Sequence, residues 1–189
     1  MRASEGASVE GRERLRLFVA LLLPDEAVRG LVRWQERELP AGGHVRRVGP
    51  ANLHVTLAFL GSRPAAEAAP IAAAVREAAG TTGSIVLTPS RYRETRTVGM
   101  VVLDDEGGRA GLLAERVWDE LERLGVYERE RRPWLAHVTV LRFRGRPPRL
   151  APPVPDLGPV SPSGLALYHS LLRPGGAQYG ILESVVLGG

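Results

Sequence analysis

Residues 52–61 read Asn-Leu-His-Val-Thr-Leu-Ala-Phe-Leu-Gly, and residues 134–143 read Trp-Leu-Ala-His-Val-Thr-Val-Leu-Arg-Phe. Both carry His-Val-Thr followed by an aliphatic residue inside an apolar run that reads as a strand. Side chains alternate between the two faces of a strand, so His54 and Thr56 project together while Leu53, Val55 and Leu57 face the other way. The same parity joins His137 to Thr139 and leaves Val138 and Val140 opposite. Each strand therefore offers one imidazole and one hydroxyl on one face, with an apolar set on the other for a core. A single His-x-Thr carries little information; two copies carry much more when their surroundings also repeat.

The surroundings do repeat. An apolar strand, Leu15 to Leu23, precedes a helix over about Asp25 to Leu39, which Pro24 and two acidic residues introduce and which carries Val28, Leu31, Val32 and Leu39 at helical spacing. A Gly/Pro/Arg loop then leads to the strand Leu53 to Leu60, closed by Gly61. Further on, a strand over Val98 to Leu103 precedes a helix with Ala110, Leu113, Val117, Leu121 and Leu124 in phase, stopped by Gly125. The strand from about Leu135 to Phe143 follows. The order strand, helix, loop, strand thus occurs twice, over 17–60 and 98–143, which predicts two pseudo-symmetric lobes. If they pack about a twofold axis, the histidines face each other across a cleft. Between the repeats lie an alanine-rich helix, about Pro64 to Ala79, and a strand at Ile85 to Leu87. After them, a Pro/Arg-rich connection over 144–162 leads to strands near Leu165 to Leu171 and Gln178 to Leu187.

Residues 1–14 are small and polar and read as a mobile tail, leaving 15–189 as one domain. The run Leu15 to Leu23 is too short to span a bilayer, and no small-residue cleavage pattern follows it, so it is a buried strand rather than a signal peptide. A cytoplasmic location is expected.

Composition removes whole mechanisms. The 189 residues contain 25 basic side chains, every one an arginine, and no cysteine. Without lysine there is no P-loop, no Schiff base and no lysyl-adenylate; without cysteine there is no disulfide, thiolate nucleophile or Cys-based metal site. The net charge is only +4, compatible with an anionic substrate without requiring one. Two histidines and two hydroxyls suit cleavage of a phosphodiester. One neutral imidazole takes a proton from water, one protonated imidazole gives a proton to the leaving oxygen, and the hydroxyls donate to non-bridging oxygens. Arg142, five positions after His137, lies on the opposite face of a regular strand, but near the strand end it could curl back and offer a guanidinium to phosphate.

Here the chain resembles the 2H phosphoesterases, in particular the RNA 2′,3′-cyclic phosphodiesterases formerly called 2′-5′ RNA ligases. The resemblance rests on Leu17-Phe18-Val19-Ala20, on Asn52 through Gly61, on Arg132 through Arg142, and on Leu167-Tyr168-His169-Ser170 through Gly176-Ala177-Gln178-Tyr179. It implies a two-lobed α+β fold of mostly antiparallel sheet with outer helices and a central cleft lined by both motifs. It also implies metal-independent opening of a 2′,3′-cyclic phosphate to a 2′-phosphate, with no cofactor. On that resemblance His54 is the acid for the 3′ oxygen and His137 the base for water; Thr56, Thr139 and Arg142 hold the phosphate, and Phe59 lies against the nucleoside. The residues alone do not order the two histidines. The chain departs from the family's usual tryptophan at Arg47, lysine at Ala58 and proline at Ala136. The first two departures bear on base preference and on reach along RNA.

The remaining histidines read as bystanders, His44 in a solvated loop and His169 in a strand. Two His-x-Thr copies supply too few ligands for zinc. Arg129, Arg131, Arg132, Arg142, Arg144, Arg146 and Arg149 flank the second motif as either a solvated face or a contact for an RNA backbone, and Trp134 and Phe143 are candidates for base stacking or for the core. The expected partner is RNA with cyclic-phosphate ends, tRNA fragments among them, or a small cyclic nucleotide, acted on by a monomer. Two alternatives are a 2H hydrolase of 2′-5′-linked oligonucleotides or another cyclic nucleotide-derived diester, and an RNA-end-binding module without turnover.

Overall fold

A computed structural model describes residues 13–80, 82–173 and 176–187; most of the expected tail lies outside them. Among the described residues the elements are β1 (Arg14–Leu22), α1 (Asp25–Glu38), β2 (Val45–Arg47), β3 (His54–Pro64), α2 (Ala68–Ala79), β4 (Val86–Glu94), β5 (Val98–Glu106), α3 (Arg109–Arg123), β6 (His137–Phe143), β7 (Gly164–Arg173) and β8 (Gly176–Val186). None of the helices is long and apolar enough to cross a membrane.

The strands form one antiparallel sheet in the order β4-β5-β6-β3-β1-β7-β8, with β2 also on β6. Strands β3 and β6 share a single register pair, Val55 with Val138. Beyond it β6 passes to β2, pairing Arg47 with Leu141 and Val45 with Phe143. The two lobes are therefore halves of one sheet, β3-β1-β7-β8 and β4-β5-β6-β2, joined where the two motif strands meet.

Strand β1 is continuously apolar from Leu17 to Leu22 because both of its faces are covered there. Leu17, Val19 and Leu21 enter the main core with Leu31, Trp34, Ile71, Leu113 and Leu121 from the helices. Phe18 and Ala20 join a second, smaller cluster with Ala166 and Tyr168. The helices are exchanged between halves. Helix α1 follows β1 yet packs toward the other half, through Trp34 against Tyr92 of β4 and Gln35 against β6. Helix α3 follows β5 yet reaches β3 through Trp118 and packs against α2. The Pro/Arg-rich connection runs past α1, where the Pro153 carbonyl accepts the Trp34 indole N–H at 2.9 Å. It then bridges Val160 to Leu87 in both directions.

Some boundaries differ from expectation for local reasons. Gly61, at φ 68°, bends β3 instead of ending it, so the strand runs to Pro64 and α2 starts only at Ala68. Pro89 reads as a strand breaker, but β4 is an edge strand with a register shift between Pro89 and Arg91, where proline is tolerated. The three residues of β2 were too few to show a period.

Candidate active site

The pair Val55–Val138 lies close to the local pseudo-twofold axis. Both valines are buried, so the residues flanking them project to the opposite face of the sheet. Continuing the antiparallel register sets His54 across from Thr139 and Thr56 across from His137. All four are partly accessible. The structure thus brings together the two imidazoles and two hydroxyls that the sequence pairs only within each strand.

Each histidine is held by a carbonyl two residues upstream. His137 Nδ1 lies 2.8 Å from the Leu135 carbonyl oxygen. A carbonyl can only accept, so Nδ1 carries the proton there and Nε2 is the atom left for proton transfer. The Asn52 carbonyl plays the corresponding part for His54. The His54 ring sits among Phe18, Tyr168 and Tyr179, at centroid distances of 5.0, 5.8 and 5.5 Å. Burial in this aromatic box pushes the His54 pKa down from 6.5 to about 4; the Asn52 hydrogen bond opposes the shift, while the charges of Arg142 and His137 add to it. The resting site therefore holds His54 neutral at neutral pH.

Arg142 reaches this face by a device that the sequence reading missed. In the pairing of β5 with β6, Met100 faces Thr139 and Gly99 faces Leu141, so Val140 is an extra residue in a bulge. Val140 and Leu141 both stay buried, and Arg142 emerges on the side of His137 and Thr139. The same occurs in β3: Ala20 faces Thr56 and Val19 faces Ala58, leaving Leu57 as the extra residue. Phe59 consequently emerges beside His54 and packs on Phe18 at 5.6 Å, with 59% of its surface exposed.

Both bulges are pinned from beneath. Gln35, buried in α1, donates from Nε2 to the carbonyls of Val140 (2.8 Å) and Val48 (3.0 Å). Trp118 in α3 donates from Nε1 to the carbonyl of Leu57 at 2.9 Å. The sequence interval from His54 to His137 recurs from Thr56 to Thr139, Leu57 to Val140, Phe59 to Arg142 and Gln35 to Trp118. That constant interval was the available signal for both bulges and both pins.

A cavity of about 330 Å³ shares Phe18 and Tyr179 with the surroundings of His54 and is lined also by Phe59 and three arginines, Arg16, Arg46 and Arg142. Arg142 belongs to the sequence-predicted set; Arg16 and Arg46 do not. Two others of the predicted arginine cluster are engaged elsewhere. Arg129 pairs with Glu122 and Asp119 and lies over Trp118, and Arg132 pairs with Glu130. Trp134 donates to the Thr56 carbonyl at 3.0 Å and packs, partly buried, on the core, and Phe143 is buried, so it offers no face to a base. Arg47 points to the C-terminal end of α1, bonding the Leu39 and Glu36 carbonyls, and Ala58 is buried. His44 is exposed in its loop and does not line the cavity. His169 packs on Gly180, while its neighbour Tyr168 is the one that stacks on Phe18. Among the described residues, no three His, Asp or Glu side chains gather as metal ligands.

A bilobed antiparallel sheet that carries two symmetry-related His-x-Thr strands on one face has the architecture of the two-histidine phosphoesterases. A profile of the family described as LigT like phosphoesterase matches residues 21–95. The chain is 33% identical over 189 residues to the RNA 2′,3′-cyclic phosphodiesterase of Thermus thermophilus, covering 93% of this chain and 91% of that protein. It is 30% identical over 181 residues to the protein of the same name from Archaeoglobus fulgidus, covering 87% and 96%. A crystal structure from Thermus thermophilus superposes with a TM-score of 0.76 at 30% identity, covering 91% of this chain and 97% of that one. Escherichia coli LigT complexed with 3′-AMP superposes at 0.75 and 25% identity, covering 94% and 100%. The chain belongs to the LigT-like phosphoesterases of the 2H family and is a hydrolase of that family.

Proposed function

We propose that this protein hydrolyses 2′,3′-cyclic phosphate ends of RNA to 2′-phosphates, with His54 and His137 as its acid and base. The observation that carries the reading is the Val55–Val138 crossing, which sets two imidazoles and two threonine hydroxyls on one accessible face. Water attacks phosphorus as His137 Nε2 takes its proton; the bond from phosphorus to O3′ breaks, and His54 returns a proton to O3′. One water is consumed and one 3′-hydroxyl appears beside a 2′-phosphate. Thr56, Thr139 and Arg142 donate hydrogen bonds to the non-bridging oxygens, and Phe59 presents its exposed ring to the nucleoside.

The resting electrostatics place one demand on these roles. A histidine held near pKa 4 carries almost no proton to give at neutral pH. The anionic phosphodiester must therefore raise the His54 pKa on binding, offsetting the neighbouring positive charge. Protonation of His54 is thereby coupled to occupancy by substrate. The reaction takes place in the cytoplasm, on RNA fragments such as those of tRNA, and the protein acts as a monomer.

The test is incubation with a nucleoside 2′,3′-cyclic phosphate in the presence of a chelator, with products followed by phosphorus NMR. The expected product is the 2′-phosphate, formed at a rate that added divalent metal does not change. Absence of turnover, a 3′-phosphate product, or turnover only with added metal refutes the proposal. A parallel 2′-5′-linked dinucleotide should be the poorer substrate by specificity constant.

A further inference from the structure

We infer that Asn52 is a positioning residue for His54: its side-chain amide ties the end of the β7–β8 hairpin across the cleft face and so holds the Tyr179 ring against the imidazole. The inference rests on the reading of His54 as a group of the reaction and names what keeps it in place. Register and contact disagree at this hairpin. Tyr179 pairs with Ser170, Ser170 with Arg16, and Arg16 with Ser62, so in a flat sheet Tyr179 lies level with the end of β3 remote from His54. Ala177 pairs with Leu172, further still from His54. Yet the Tyr179 and His54 ring centroids are 5.5 Å apart, and Asn52 Nδ2 donates to the Ala177 carbonyl at 2.9 Å. The end of the hairpin therefore curls over the face of the sheet that carries His54.

Strand twist favours such a curl without fixing its extent. Strand β8 ends the sheet and has β7 as its strand neighbour. Glu183, further along β8, pairs with the exposed Arg76 of α2, whereas the Asn52 bond falls two residues from Tyr179. Asn52 grips both partners at once. Its carbonyl accepts from the His54 ring, while its side chain reaches the hairpin. A single helical turn, Pro50–Asn52, sets its own place: the Asn52 N–H donates to the Gly49 carbonyl at 2.9 Å and the Leu53 N–H to the Pro50 carbonyl at 3.2 Å. The second half lacks the device. The interval from His54 to His137 matches Asn52 with Leu135, whose carbonyl serves His137 in the same way but whose side chain has no donor. Asn52 thus treats the two histidines unequally, closing over His54 the aromatic box of Phe18, Tyr168 and Tyr179.

The experiment is an NMR titration of the His54 ring in the substrate-free protein, its signals assigned by their loss in His54→Gln. The unaltered chain is compared with Asn52→Leu, Asn52→Ala and Tyr179→Ala, each checked for folding by circular dichroism. Asn52→Leu keeps nearly the same shape and gives the first half the residue that stands in the second. Once the hairpin end is released, water reaches the ring, so the His54 midpoint should rise from about 4 by about one unit or more toward 6.5 in both Asn52 variants. Tyr179→Ala should raise it similarly, and adding Asn52→Ala to Tyr179→Ala should move it little further. On a nucleoside 2′,3′-cyclic phosphate, the alkaline fall of kcat/KM should move to higher pH by the same amount, while kcat drops about tenfold as the ring loses its seat. An unchanged His54 midpoint in the folded Asn52 variants, or rises that add in the double variant, overturns the positioning role. Unfolding of the Asn52 variants where Tyr179→Ala stays folded also overturns it, since Asn52 then serves the fold rather than the histidine. The titration needs no substrate: absence of turnover by the unaltered protein overturns the functional reading and leaves the titration to judge the tie between Asn52 and His54.

Discussion

Replacing Gln35 with leucine should damage catalysis through Arg142, although Gln35 lies on the helix side of the sheet. Its amide N–H groups are donated to two carbonyls, Val48 at 3.0 Å and Val140 at 2.8 Å, from a buried position. Leucine fills nearly the same volume and donates nothing. The Val140 carbonyl keeps the backbone N–H of Val48, at 2.9 Å, whereas the Val48 carbonyl loses its side-chain donor. One orphaned buried acceptor costs about 1–3 kcal/mol, which in a domain of this size lowers Tm by roughly 2–4 °C per kcal/mol. The catalytic effect has a separate origin. The bulge at Val140 turns Arg142 onto the cleft face, and a shift of about 1 Å in such a group can reduce the rate by up to a hundredfold. The Gln35→Leu variant should therefore lose ten- to a hundredfold in kcat on a cyclic mononucleotide at temperatures where it is fully folded. A double-mutant cycle with Arg142→Ala separates positioning from general damage: once Arg142 is absent, the Gln35 substitution should cost little further activity. If the two losses multiply, or if Gln35→Leu lowers Tm while kcat stays within twofold, the bulge does not act through Arg142.

Four further outcomes follow from the geometry. His54→Ala and His137→Ala should each reduce turnover by about 10²–10⁴-fold while retaining the native circular dichroism spectrum; near-normal turnover in either excludes the two-imidazole mechanism. Trp118→Phe removes the indole donor to the Leu57 carbonyl beneath the bulge that presents Phe59, so KM should rise several-fold with a smaller change in kcat; a loss confined to kcat contradicts this. With His54 as the acid, its pKa of about 4 in the empty site makes kcat/KM begin to fall above about pH 4, while kcat, read with phosphate bound, holds to higher pH. Coincident alkaline limbs refute the coupling of protonation to substrate. Stability should show the same histidine with the opposite occupancy. Between about pH 6.5 and 4 the unfolded chain binds a proton at His54 that the folded chain does not, so Tm should decline as pH falls through that window. His54→Gln should flatten the decline, and an unchanged slope assigns it to another group.

The parts of the fold legible in the sequence were those written as a period. The alternation in His54-Val55-Thr56 and His137-Val138-Thr139 gave the shared face of each pair, and the repeated order of elements gave two related halves. The joining of those halves through Val55 and Val138 could not be read, because one register pair between strands far apart in sequence leaves no periodic trace. Arg142 and Phe59 were named in advance, one as a residue that could curl back and the other on the family resemblance, but parity hid how they arrive: in a regular strand both fall on the core side, and only an extra residue in each strand returns them to the cleft. Arg16 and Arg46 were hidden by number, two among 25 arginines. Only the strands that carry them set these two beside the cavity. The aromatic box around His54 draws Phe18, Tyr168 and Tyr179 from three strands and took shape only with the sheet order.

The exchange of helices between the halves governs how the cleft can move. Helix α1 is continuous in sequence with β1 but pins β6, and α3 is continuous with β5 but pins β3. A hinge rotation that parted the two motif strands would pull Gln35 from Val140 and Trp118 from Leu57 together, since each connection crosses the dividing line in the opposite sense. The protein is cross-laced, and its halves resist opening like a book. Access for a substrate must come from local movement at the rim, where Phe59 and the arginine side chains stand, while the spacing of the two imidazoles remains set by the lacing beneath them.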